Sequence, residues 1–166
     1  MSALPARYRK LVIHEVTGQF RSATEVVWQS WTDPGPDEVA VRNHWAGCNA
    51  IFDQNLCRNK IRYVDVVPPY DIGIEAVGDV VAVGPGVTAF SVGDTVATTK
   101  LGNGYREYQI APIARTIKIR AATPERQAYP QLYLARHLST QKSQHIHNFI
   151  HNKHTFPDTN RMAAGP

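Results

Sequence analysis

Few side chains in this 166-residue chain stand in patterns that could do chemistry, and they fall into three groups. The first is a histidine cluster, His145-x-His147 followed by His151 and His154. On a helix, His147 and His151 would share a face at i, i+4, and His151 and His154 at i, i+3. Imidazoles so placed bind Zn, Ni or Cu. No Glu or Cys lies among them and no apolar shell orders them, so adventitious binding is expected rather than a functional metal site. The second group is two thiols, Cys48 and Cys57, too few for a disulfide scaffold. Each is expected to be a small buried hydrophobe, not a ligand or nucleophile. The third group is glycines that would let backbone amides approach a phosphate. Gly84-Pro85-Gly86 lies in a turn between strand-like segments, and Pro85 removes one of the amides needed. Gly102-x-Gly104 also leads into a strand-like segment, and the next glycine is Gly165. Neither loop opens a helix, so no dinucleotide cradle is expected.

The elements that must position these groups are mostly strands. Pro68 to Val96 holds Gly73, Gly78, Gly84, Gly86 and Gly93 with β-branched residues between them, the pattern of short strands punctuated by turns. Strands are expected at Lys10 to Val16, Thr24 to Gln29, Val39 to His44, Val77 to Val83, Thr95 to Thr99, Tyr105 to Ala111 and Thr116 to Ile119. Turns fall near Gly18, in the loop Asp33-Pro34-Gly35-Pro36, at Gly84-Pro85-Gly86 and at Gly93-Asp94. Asn49 to Asn59 is the one short helix expected in this half. Many short strands at regular turn spacing argue for an all-β barrel or sandwich.

After Pro124 the character changes. Residues 125–166 hold five of the seven histidines and no alternating strand pattern. They are expected to form a disordered or irregular tail, weakly helical around Gln131 to Leu138. The net charge of +4 reads as a mildly basic surface, since no basic run is interleaved with aromatics; a nucleic-acid partner is not expected. No run approaches the ~18 apolar residues of a membrane helix. Reduced thiols suit a cytoplasmic protein. The opening Arg7, Arg9 and Lys10 leave a mitochondrial presequence as the alternative.

Three motifs together carry a resemblance. Gly73-Ile74-Glu75 is followed by Gly78-Asp79-Val80-Val81-Ala82-Val83-Gly84, and then by Phe90-Ser91-Val92-Gly93-Asp94-Thr95-Val96. This resembles the GroES-like amino-terminal domain of the medium-chain dehydrogenase/reductase superfamily over residues 8–124. Val41 to Ala50 and Pro68 to Gly78 are most similar to the zinc-free quinone oxidoreductase-like branch, in particular the 15-oxoprostaglandin 13-reductases. Tyr8 to Ile13 and Phe20 to Val27 fit the same branch. The resemblance implies a mainly β fold, a partly open β-barrel with one short helix. It implies an enone or quinone as small-molecule substrate, NADP(H) as the cofactor of the parent family, and a homologous reductase subunit as a partner.

It also assigns residues. In the zinc enzymes of the superfamily, one ligand position aligns here with Asn49 and another with Ile74, which cannot ligate, so no catalytic metal is expected. In the zinc-free branch, an Asn at the place of Asn49 lies beside the nicotinamide, where its amide can donate to cofactor or substrate carbonyl. The other reading is an Asn satisfying turn backbone. Asp53 would cap or neighbour the helix; the family's acid falls one position earlier, on Phe52. Tyr63 and Tyr70 are candidates to line the pocket mouth, against the commoner case of tyrosine on a barrel surface. Glu75 matches the family's Glu as a structural acceptor. The 42 residues after Pro124 cannot hold the family's nucleotide domain, since one βαβ unit takes ~30. The chain alone is therefore expected to bind NADP(H) weakly and to be inactive. The alternative is a non-catalytic module that binds a full-length partner.

Overall fold

The computed structural model describes residues 4–119. Eight strands, one helix of two turns and two single turns make up this part. In chain order they are β1 (Arg7–Ile13), α1 (Phe20–Ala23), β2 (Thr24–Ser30), β3 (Glu38–Ala46), α2 (Ala50–Cys57), β4 (Tyr70–Asp71), β5 (Glu75–Val83), β6 (Thr95–Thr99), β7 (Tyr108–Pro112) and β8 (Thr116–Lys118), with a 3-10 turn at Ile113–Arg115 between the last two. The strands pair antiparallel throughout, in a three-stranded sheet of order β2-β1-β4 and a five-stranded sheet of order β7-β3-β5-β6-β8. The larger sheet curls into a half-barrel, the mainly β fold that the resemblance implies.

β3 and β5 form its spine. Val39 and Val41 on β3 and Val80 on β5 turn inward with Val96 and Ala111, and Val87, Phe90 and Ile113 close over them. Each such side chain taken fully out of water contributes ~1.5–3 kcal/mol. The β3–β5 register shifts twice, between Ala40 and Val41 and between Asn43 and Trp45, which bends the ladder. Gly78 sits at that bend. A Cβ there would come within 2.0 Å of the Arg42 carbonyl oxygen, so only glycine lets the strands meet.

The two sheets join along a seam. Leu11 N donates to Tyr105 O and Glu107 N to Arg9 O, on either side of a bridge between Lys10 and Arg106. Charges reinforce it: the Arg9 guanidinium grips Glu107, and Asp71 is flanked by Lys10 Nζ at 2.8 Å and an Arg106 nitrogen at 2.6 Å. A second core lies beyond the seam, made of Ile13, Ala23, Leu56, Cys57, Val66 and Ile72. It clamps α2 against β1 and the 70–72 segment.

Several boundaries differ from the sequence expectation. β1 begins at Arg7 and ends at Ile13, three residues earlier than the expected strand, because its register is set by β2 (Arg7 opposite Ser30) and by residues 105–107. Tyr105 and Arg106 belong to the seam, and β7 starts only at Tyr108. The turn α1 has no signal in the sequence; with four residues it is too short to show a helical period. The tail, with its expected helix around 131–138 and its histidine cluster, lies outside the described residues.

Candidate functional site

A polar cluster gathers where β3 ends and α2 begins. Asn49 is the N-cap of α2, with non-helical backbone angles (φ -114°, ψ 80°), and its Oδ1 accepts from the Phe52 amide at 3.2 Å. The side-chain oxygen of Asn49 therefore satisfies nearby backbone, here the first turn of the helix. The residue stands exposed at the helix mouth. Four positions on, Asp53 points the other way and is buried, with 3% of its surface exposed. Its carboxylate is met by the Tyr105 hydroxyl, which donates at 2.5 Å. Asp53 N donates to Asn49 O at 2.8 Å, so the two residues are joined across the first turn of the helix.

Electrostatics follow from burial. Loss of water pushes the Asp53 carboxyl above the ordinary Asp range, against the opposing pull of the Tyr105 hydroxyl and of the Asn49 backbone. The Tyr105 phenol is pushed far above its usual value, first by burial, then by the Asp53 carboxylate and by the nearby Cys48. The Cys57 thiol is raised by burial and by the nearby charge of Asp53. Tyr105 also lies 3.4 Å from the Gly47 carbonyl oxygen. Opposite, Glu75 opens β5: its carbonyl accepts from Gly47 N, and a Cβ on Gly47 would come within 2.6 Å of Glu75 Oε2.

Cys48 departs from expectation. It is exposed, not buried, because β3 runs out into solvent after Val41 and the residue stands in the loop between strand and cap. Cys57, on the inner face of α2, is buried as expected. Tyr70 is half-buried and packs against the core that holds Leu56 and Ile72, as Tyr105 and Phe52 do. Tyr63 is 81% exposed and forms part of an open depression of about 590 Å³ lined by residues 59–65. The described contacts tie Asn49 to Phe52, Asp53 and, through Asp53, to Tyr105; they do not join it to Tyr63. Sequence reasoning left Tyr105 without a role. Its partner lies 52 residues away, and no local spacing signals that pair. Among the described residues no three His, Cys, Asp or Glu side chains converge, and no helix is long and apolar enough to cross a membrane.

A curled antiparallel half-barrel, joined by a seam to a smaller sheet and carrying one short helix after its first long strand, is a domain of the GroES-like class. The chain belongs to the alcohol dehydrogenase GroES-like domain family, which matches residues 35–121, within the medium-chain dehydrogenase/reductase superfamily. It is 35% identical over 127 residues to a probable quinone oxidoreductase of Leishmania amazonensis, a match covering 76% of this chain and 36% of that protein. Against prostaglandin reductase-3 of Bos taurus it is 34% identical over 126 residues, covering 75% and 33%. A mycobacterial protein solved in complex with NADPH superposes with a TM-score of 0.64 at 30% identity, over 81% of this chain and 41% of that one. The chain spans about a third of the length of the curated relatives it matches.

Proposed function

We propose that residues 8–124 are the substrate-side domain of an NADP(H)-dependent reductase of enones or quinones, resembling the 15-oxoprostaglandin 13-reductases, with Asn49 beside the reacting carbonyl. The observation that carries this reading is the divided amide of Asn49. Its oxygen is committed to the Phe52 amide, while the nitrogen of the same group is a donor on an exposed rim. Hydride addition to the double bond of a conjugated carbonyl drives negative charge onto the carbonyl oxygen. A fixed N–H donor at that oxygen lowers the barrier. The nicotinamide supplies the hydride when bound, and the names of the relatives, quinone oxidoreductase and prostaglandin reductase, support that chemistry. Tyr70 and Tyr63 would add outer contacts to the substrate. Tight holding of NADP(H) is left to a nucleotide domain, because the glycine turns of this domain lie between strands and not at helix starts.

The test is a titration of the isotopically labelled chain with menadione and with 4-phenyl-3-buten-2-one, followed by NMR. Shifts should centre on the Asn49 side-chain amide, Cys48 and Ala50, and should vanish in Asn49→Ala. Shifts centred elsewhere would remove Asn49 from the reading. A parallel assay with NADPH and the same enone should give no turnover by the 166-residue chain. Robust turnover would overturn the division of labour between domains.

A further inference from the structure

We infer that the Tyr105–Asp53 pair is the positioning device for Asn49: it reaches across the fold, grips the first turn of α2 and sets the direction in which the Asn49 amide is presented. The chain of contacts is continuous. The Tyr105 hydroxyl donates to Asp53 Oδ2 at 2.5 Å, and Asp53 is tied to Asn49 through the first turn of the helix. Asp53 N in turn donates to Asn49 O at 2.8 Å, and Phe52 N to Asn49 Oδ1 at 3.2 Å. The same phenol oxygen lies 3.4 Å from the Gly47 carbonyl oxygen, so the end of the loop before Asn49 packs against the group that holds Asp53.

Tyr105 is able to act as an anchor because its backbone is fixed on both sides. Its N–H donates to Ile72 O at 3.3 Å and its carbonyl accepts from Leu11 N at 2.9 Å, so it belongs to the seam between the sheets. The helix it grips needs such an anchor. Eight residues are too few for a helix to hold its own shape in water, and the exposed cap would fray first. Ring packing against the Leu56 core would be served equally by phenylalanine; only the hydroxyl reaches Asp53. The consequence for Asn49 as a substrate contact rests on the function proposed above. The consequence for its cap does not.

Two variants separate positioning from bulk stability. In Tyr105→Phe, hydrogen exchange at the Phe52 amide should rise about tenfold more than at the Val80 and Val96 amides of the far core. In Asp53→Asn, where a neutral amide oxygen still accepts from the phenol, the differential should stay within about threefold. In the menadione titration, Tyr105→Phe should weaken the dissociation constant about tenfold, and Asp53→Asn should recover most of that loss. A uniform rise across all amides, no rise at Phe52, or equal losses in both variants would overturn the inference. Absence of menadione binding by the unaltered chain would defeat the proposed function instead, and the exchange measurement would still decide the positioning of Asn49.

Discussion

Removing one oxygen atom, in Tyr105→Phe, should destabilise the domain by an amount that depends on pH. The ring keeps its packing, so the loss is the hydrogen bond to Asp53, whose carboxyl is 3% exposed and cannot recruit water in its place. A hydrogen bond to a charged group contributes ~1.5–3 kcal/mol, and about 2 kcal/mol is expected near pH 7. In a domain of this size that is a fall in Tm of roughly 10 °C. Asp53 sets the pH dependence. Burial holds its folded-state pKa above the unfolded value, so the folded chain keeps a proton that the unfolded chain has lost. The stability from this group is complete below the unfolded pKa and drains away as pH rises through the folded one. The Tyr105 hydroxyl resists that rise. Without it the carboxyl shifts further up, and the cost of the substitution grows from about 1 kcal/mol near pH 4, where a neutral pair is lost, to about 2 kcal/mol near pH 7. Cys57, whose thiol is raised by burial and by the Asp53 charge, stays neutral over this range. Urea unfolding of both chains at the two pH values measures the difference directly, and the same substitution in the D53N background should cost about 1 kcal/mol at each. A cost independent of pH, or undiminished in the D53N background, would refute the account of Asp53 as a buried carboxyl restrained by Tyr105.

Other outcomes follow from the same geometry. Leu56→Ala should cost about 3 kcal/mol in urea unfolding, because Leu56 is fully buried in the core behind α2, whereas Ile51→Ala, on the 77% exposed side of the same helix, should change stability by less than about 0.5 kcal/mol. Iodoacetamide should label Cys48 in the folded chain and leave Cys57 intact until the domain is unfolded, which peptide mass spectrometry resolves. Calorimetry should find NADPH binding by the 166-residue chain no tighter than roughly 1 mM, about 4 kcal/mol; a micromolar constant would reveal a nucleotide site absent from the glycine pattern.

How far the sequence carried the fold depended on how local each cause was. Gly78 and the alternation from Val77 to Val83 announced β5, because the need for glycine and the inward valines act within one strand. A short helix over Asn49 to Asn59 was expected, and α2 falls within those bounds because two helical turns are a local feature. β1 came three residues out of place because its limits are set by Ser30 and by residues 105–107, which no window around Arg7 contains. The site divided in the same way. Asn49 was singled out through the motif around it, and a side chain satisfying nearby backbone was one of the two readings open. The Asp53–Tyr105 pair was not legible, because the chemistry of each residue lies in the other, 52 positions away. Cys48 was misread for a simpler reason. Small size suggests burial, but the strand before it had already left the core.

The seam has a consequence for how the molecule is made. Arg9 meets Glu107, 98 positions further along the chain, and β6 gains its outer neighbour only when Thr116–Lys118 arrives. During synthesis the first strands must therefore wait, at ~5–20 residues added per second, for several seconds before the segment that closes them has left the ribosome. Over that interval β1 lacks its 105–107 neighbour, and Val39, Val41 and Val80 lack the cover of Val96 and Ala111. Nascent chains stalled before residue 105 should remain protease-sensitive and hold on to chaperones, and those released past residue 118 should close as one unit.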